Sequence, residues 1–160
     1  AGRDAVSQPG DQRTALLDVN VLIALVDPRH VHHELCHQWF ADQGERPWAT
    51  CAITQNAVLR ILGHPRYPNS PGSPAVVSAV LRQLVVHPRH RFWGTAPSLL
   101  DHLAVDTDQL LESGQITDAY LLALAVHHWG VLATLDTRLN PRSVNQGTEA
   151  LETLQPQTRR

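Results

Sequence analysis

Lysine and methionine are absent from this chain, cysteine occurs only as Cys36 and Cys51, and no uninterrupted apolar run is long. Each absence removes a class of protein. Two cysteines, one in an expected helix and one near an expected strand end, build neither a disulfide framework nor a zinc site. The longest nearly continuous apolar stretch, Ala119 to Val126, falls far short of the ~20 residues that a membrane span requires. The first thirteen residues have no apolar segment of the signal-peptide kind. They read as a disordered tail or an expression remnant, and a cytoplasmic address with no membrane role is the expectation. A formal charge of -2 argues against a large basic face for nucleic acid, because phosphate neutralisation dominates such binding. It leaves room for a small arginine cluster beside an acidic site.

What remains suits one globular domain of 160 residues with 42% apolar content, expected over residues 14 to 155 with a short tail at 156 to 160. Thr14 to Leu17 reads as a buried first strand and Val19 to Val26 as a short helix. An amphipathic helix is expected over His33 to Gln43, with Gly44 as its stop. Pro47 to Cys51 reads as a strand. Thr54 to Leu62 reads as a helix with Thr54 as its cap. Four prolines between Pro65 and Pro74 mark a rigid, exposed loop, and Ala75 to Val86 restores helical spacing. His90 to Trp93 is a third strand, Ser98 to Leu103 a short helix, and Thr107 to Leu111 another, capped by Asp106 or Thr107. Ile116 to His128 is the clearest helix, Gly130 its stop, Val131 to Leu135 a strand, and Ala150 to Leu154 the last. Trp39 and Trp129 suit helix packing, while Trp48 and Trp93 are open. Strands alternating with helices imply an α/β sandwich around a mostly parallel sheet.

In such a sheet, residues just past the strands gather at one edge, where ligands bind. Asp18 and Asp136 each follow an apolar strand directly. Asp118 and Gln55 lie near the starts of helices that begin at the same edge. Taken singly, each acid has an ordinary explanation: a helix cap for Asp18, a favourable charge at a helix start for Asp118, a turn for Asp136. Together, clustered carboxylates repel unless cations share the site, and hard divalent ions would satisfy them. Mg²⁺ or Mn²⁺ prefers oxygen, keeps several waters and lowers the pKa of an attacking water, so phosphodiester hydrolysis is the chemistry that fits. The histidine clusters, His30 to His37 foremost, lack zinc-site spacing with a catalytic Glu and read as packing or surface residues.

Four segments in order, Leu16-Leu-Asp-Val-Asn-Val-Leu-Ile-Ala-Leu25, Ala49-Thr-Cys-Ala-Ile-Thr-Gln-Asn56, Ile116-Thr-Asp-Ala-Tyr-Leu-Leu-Ala-Leu-Ala125 and Ala133-Thr-Leu-Asp-Thr-Arg-Leu139, resemble the PIN-domain nucleases, and specifically the VapC-type toxins of bacterial toxin–antitoxin modules. The resemblance implies a three-layer α/β/α sandwich and an endoribonuclease dependent on Mg²⁺ or Mn²⁺, acting on a structured RNA such as tRNA or rRNA. Its site would use Asp18, Asp118 and Asp136 as metal ligands together with the Gln55 position. Asn20 and Thr134 are expected to hydrogen-bond the carboxylates or to be plain cap and strand residues. Arg138 and Arg66 are candidates for RNA phosphate contacts. A cognate VapB-like antitoxin and a homodimer are the implied partners.

Gln55 departs from the pattern, which usually carries Glu there. The amide keeps shape and one acceptor oxygen but removes a charge, whether it is native or was introduced to silence a toxic enzyme. Two readings follow: a weakened nuclease, or a PIN-like module that holds RNA or an antitoxin without cutting. A haloacid-dehalogenase-like phosphatase would need a carboxylate where Asn20 stands and a lysine later, and a nucleotide-binding fold would need a glycine-rich loop after the first strand.

Overall fold

A computed structural model describes residues 11–156. Five parallel strands, β1 (Ala15–Leu17), β2 (Trp48–Cys51), β3 (His90–Trp93), β4 (Val131–Thr134) and β5 (Leu151–Thr153), lie in the order β3-β2-β1-β4-β5. Helices α1 (Val19–Val26), α2 (His33–Ala41), α3 (Ala52–Leu62), α4 (Pro74–Val85) and α5 (Ile116–His127) cover the sheet. The period-two alternation of strand side chains sorts them into layers. Ala15 and Leu17 of β1 pack with Val21, Cys36, Val58 and Val77 from α1 to α4, whereas Leu16 packs with Leu121, Leu122 and Leu124 of α5. The result is a three-layer α/β/α sandwich, with α1 to α4 on one face and α5 with its flanking turns on the other. Among the described residues, no helix is long and apolar enough to cross a membrane.

Most expected elements form within a residue or two of their expected bounds, and the departures have physical causes. Ser98 to Leu103 is a run of turns. The Ser98 hydroxyl accepts from the Leu100 amide and the Asp101 carboxylate from the Leu103 amide, local bonds that compete with a helix. Thr107–Gln109 is a single 3-10 turn capped by Asp106, whose carboxylate accepts from the Asp108 amide. Thr54 is not the cap of α3. The helix starts earlier, at Ala52, and the Thr54 hydroxyl reaches back to accept from the amide of the capping Cys51 at 3.0 Å.

Trp129 does not pack: it is 83% exposed and sits at φ 57°. A side-chain carbon on Gly130 would meet the Thr14 carbonyl at 2.5 Å and the Trp93 ring at 2.6 Å. Glycine is therefore needed for close approach at 130, and the left-handed position of the helix stop falls one residue earlier. The Gly130 amide closes it on the Ala125 carbonyl at 2.9 Å and the Trp129 amide on that of Val126, the Schellman pattern. Trp48 is core, and Trp93 stacks on His128 with ring centroids 4.4 Å apart.

Of the N-terminal tail expected over residues 1 to 13, the part up to Gly10 lies outside the described residues, as do residues 157–160 of the C-terminal tail. Arg13 joins the folded body: its carbonyl accepts from Arg46 Nε at 2.7 Å and its guanidinium donates to the Glu149 carbonyl at 2.8 Å. Arg46, almost fully buried, also pairs with Glu152 of β5 at 2.8 Å.

Candidate active site

β1 sits at the centre of the sheet, and the chain order reverses between β1 and β4, so the carboxyl ends of these two strands form the topological switch point. Asp18 follows β1 there and caps α1, its Oδ1 accepting from the Val19 amide at 2.7 Å. Its other oxygen, Oδ2, accepts from the Thr134 hydroxyl at the end of β4, also at 2.7 Å. The Thr134 oxygen in turn accepts from Asn20 Nδ2 at 3.2 Å and from the Asp136 amide at 3.0 Å. Asn20 Oδ1 accepts from the Leu135 amide at 3.1 Å. One hydroxyl thus gives its proton to Asp18 and both lone pairs to groups that fix the Asp136 turn. The Asp136 carboxylate accepts from the Arg138 amide at 2.8 Å, a local turn bond.

Asp118 lies in the first turn of α5 and reaches the same edge from the opposite layer. Burial pushes its carboxyl up to about 6, with Asp18 and Asp136 adding repulsion. Asp18 is also raised, by burial first and then by Asp136, although Thr134 and Val19 donate to it. The three acids therefore sense one another electrostatically. Among the described residues the ion pairs are Arg13–Asp11 and Arg46–Glu152, so none of these three acids is ion-paired to a cation side chain.

A cleft of about 290 Å³ opens beside them, lined by Asp118, Asp136, Arg138, Glu112, Gln115 and Asn140 among others. Asp18 is buried and is not part of this lining. Gln55, in the first turns of α3, stands at the same sheet edge but outside the cleft wall; its Nε2 donates to Thr50 Oγ1 at 3.0 Å. Arg66 is not brought to the edge. It follows the far end of α3, about 16 Å away by the rise of eleven helical residues. Glu112, Gln115 and Asn140 carried no sequence signal beyond the nearness of Glu112 and Gln115 to Asp118. A 3-10 turn and the loop after β4 bring them to the cleft.

Among the described residues no three of His, Cys, Asp and Glu converge closely enough to cage a cation by themselves. The histidines of the first cluster are used elsewhere: His33 and His37 hydrogen-bond the Ala24 and Leu25 carbonyls at the end of α1. The acidic donor set does fit one kind of ion. Oxygen-only ligands that repel one another suit a hard divalent cation that retains much of its water shell, rather than zinc.

A central parallel sheet with acids at its β1/β4 switch point is the architecture of a PIN domain, and the PIN-domain family model matches residues 15–142. The chain belongs to this family, and within it to the VapC type. It is 46% identical over 135 residues to Ribonuclease VapC44 of Mycobacterium tuberculosis, covering 84% of this chain and 94% of that protein. Ribonuclease VapC39 of the same organism is 38% identical over 126 residues, 79% of this chain and 91% of the relative. Ribonuclease VapC29, also from that organism, is 41% identical over 128 residues, 79% and 88% respectively.

Proposed function

We propose that this chain is a metal-dependent endoribonuclease toxin that hydrolyses phosphodiester bonds in a structured RNA of the tRNA or ribosomal class. The observation that carries the reading is the convergence of Asp18, Asp118 and Asp136 at one sheet edge, with Asp118 held up to about 6 by burial and by the other two acids. Groups held in this way gain most when a cation arrives, because the cation removes the repulsion. The ribonuclease names of the VapC relatives support the same chemistry.

Asp18, Asp118 and Asp136 would hold Mg²⁺ or Mn²⁺. When bound, such an ion supplies Lewis acidity at a phosphate oxygen and lowers the pKa of the attacking water. Thr134 keeps Asp18 oriented, and Asn20 keeps Thr134 oriented. Arg138, in the cleft wall with Asp136, would take an RNA phosphate. Arg66 can do so only for an RNA long enough to reach the far end of α3. A VapB-like antitoxin covering the acidic cleft, a homodimer using the exposed Val76 and Val80 of α4, and action in the cytoplasm complete the proposal.

A second reading rests on Gln55: with an amide at this position the domain holds RNA or antitoxin without cutting. Cleavage of total RNA in saturating Mn²⁺, by this chain beside its Gln55→Glu form, separates the two. Discrete metal-dependent fragments, much stronger with Glu, are the expected result. RNA binding without metal and without fragments from either form would favour the module. Equal rates in the two forms would remove Gln55 as the weak point.

A further inference from the structure

Gln55 is one end of a hydrogen-bond chain that runs away from the acidic edge. Its Nε2 lies 3.0 Å from the hydroxyl of the fully buried Thr50, and that hydroxyl lies 2.7 Å from Nε2 of His90. Thr50 and His90 are on adjacent strands, β2 and β3. The Val85 carbonyl at the end of α4 also acts on the His90 ring, favouring its protonated form.

The direction of every bond in this chain follows from which ring nitrogen of His90 carries the proton. A carbonyl only accepts, so the Val85 carbonyl favours a ring proton, and with Nε2 taken up by Thr50 we assign that proton to Nδ1. A neutral imidazole has a single N–H, which leaves Nε2 as an acceptor that takes the Thr50 proton. The Thr50 oxygen, its proton engaged, can then only accept from residue 55. An amide N–H meets that requirement, and a carboxylate does not. With Glu at 55, Thr50 would have to turn its proton towards the carboxylate and receive one from His90 Nε2. The imidazole would then need both protons, as imidazolium.

We propose that His90 and Thr50 are positioning residues for Gln55: through this one-way chain they select an amide at the site and fix its nitrogen inward, so that the amide's carbonyl end is left for the acidic edge. His90 is held neutral by its surroundings. Burial lowers its proton affinity most, Arg91 beside it and His87 from the preceding turn lower it further, and the Val85 carbonyl opposes them in part. Trp48, tilted against the ring with centroids 4.7 Å apart, adds no charge. Gln55 is then a matched member of its surroundings, and Gln55→Glu changes the ionisation of a residue on another strand. Its functional weight rests on the ribonuclease reading, whereas the hydrogen-bond chain does not.

The test is long-range ¹H–¹⁵N correlation of the histidine rings in the full chain, from about pH 5 to about pH 9, a range that spans imidazole titration. In the unaltered chain, neutral His90 is expected to carry its proton on Nδ1. In the Gln55→Glu form its proton affinity is expected to rise about tenfold, one pKa unit, and RNA cleavage by that form is expected to acquire a pH dependence that tracks the His90 titration. A neutral ring protonated on Nε2 would overturn the proposal, and so would a His90 titration indifferent to Gln55→Glu. The tautomer is read without any substitution, so the proposal stays falsifiable even if the variant does not fold. Absence of cleavage from both forms would count against the ribonuclease reading and leave the ring measurement to decide the chain.

Discussion

Helix α1 begins and ends on a buried aspartate, and the fold treats the two acids in opposite ways. Asp27, at the C-terminal end, is 3% exposed and receives the Tyr67 hydroxyl at 2.6 Å, the Arg29 amide at 2.9 Å and Asn69 Nδ2 at 3.2 Å. Burial raises its proton affinity, but those three donors outweigh burial and hold the carboxyl below the ordinary range. Asp18, at the N-terminal end, is 5% exposed and among the described residues has Thr134 and Val19 as its donors. Burial and the facing Asp136 leave it above the ordinary range. Similar solvent exposure thus does not make the two acids alike: Asp18 lies deeper among protein atoms and beside a second carboxylate, whereas Asp27 is met by more donors. Asp27 is a finished internal contact that ties the proline-rich loop to α1, and Asp18 is left beside a second carboxylate with no ion-pair partner among the described residues.

The sharpest way to break this contrast is to neutralise each acid. Asp18→Asn is expected to reduce metal-dependent RNA cleavage by about a hundredfold or more, since loss of groups that merely support a ligand already costs about 10- to 100-fold. Its folding stability should hold, because a repelled charge is removed. Asp27→Asn should leave cleavage unchanged and lose about 1–3 kcal/mol of stability, as charge-assisted bonds are weakened. Cleavage assays and urea denaturation of both variants give the comparison. A stability loss for Asp18→Asn as large as that for Asp27→Asn would erase it.

Substitution of the partners should reproduce the split with smaller effects. Thr134→Val is expected to weaken Mg²⁺ affinity or cleavage by about 10- to 100-fold. Tyr67→Phe is expected to lower stability by about 1–2 kcal/mol with cleavage intact.

The pH dependence of the metal-free protein should differ in sign at the two ends. Asp27, lowered on folding, contributes stability that is present above its unfolded value of 3.8 and lost as pH falls through its folded value. Asp118, raised on folding from 3.8 to about 6, does the reverse: the folded state binds the extra proton in that window, so stability falls as pH rises through it. Thermal melts should show the two slopes lost separately: that of Asp27 in Asp27→Asn below 3.8, and that of Asp118 in Asp118→Asn between 3.8 and about 6.

The smallest effect concerns RNA. Arg138→Ala should reduce the salt dependence of RNA binding by about one phosphate's worth, and Arg66→Ala, beside the Asp27 end, by less. A larger effect for Arg66 would place the RNA on the proline-rich loop.

Much of this arrangement is written locally in the chain. Asp18 and Asp136 each end an apolar strand, and the parallel α/β pattern then forces both to one edge, so the acidic centre is legible from the order of residues alone. Side-chain pairing across long separations is not. Asp27 meets Tyr67 forty residues on, and Thr50 meets His90 at the same separation; no periodicity marks either pair. Ser98 to Leu103 has helical spacing, yet its own hydroxyl and carboxylate satisfy the backbone in turns. Glu112 is hidden for a similar reason, because a single 3-10 turn decides whether it faces the cleft.

The most direct test is a carboxyl-carbon NMR titration of Asp18, Asp27 and Asp118, with and without Mg²⁺. Without the ion, Asp118 is expected to titrate near 6 and Asp27 below the ordinary carboxylate range. Mg²⁺ should then pull Asp118 and Asp18 down and leave Asp27 where it is. An Asp118 that titrates as an ordinary carboxylate and ignores Mg²⁺ would contradict a metal-dependent acidic centre at this edge.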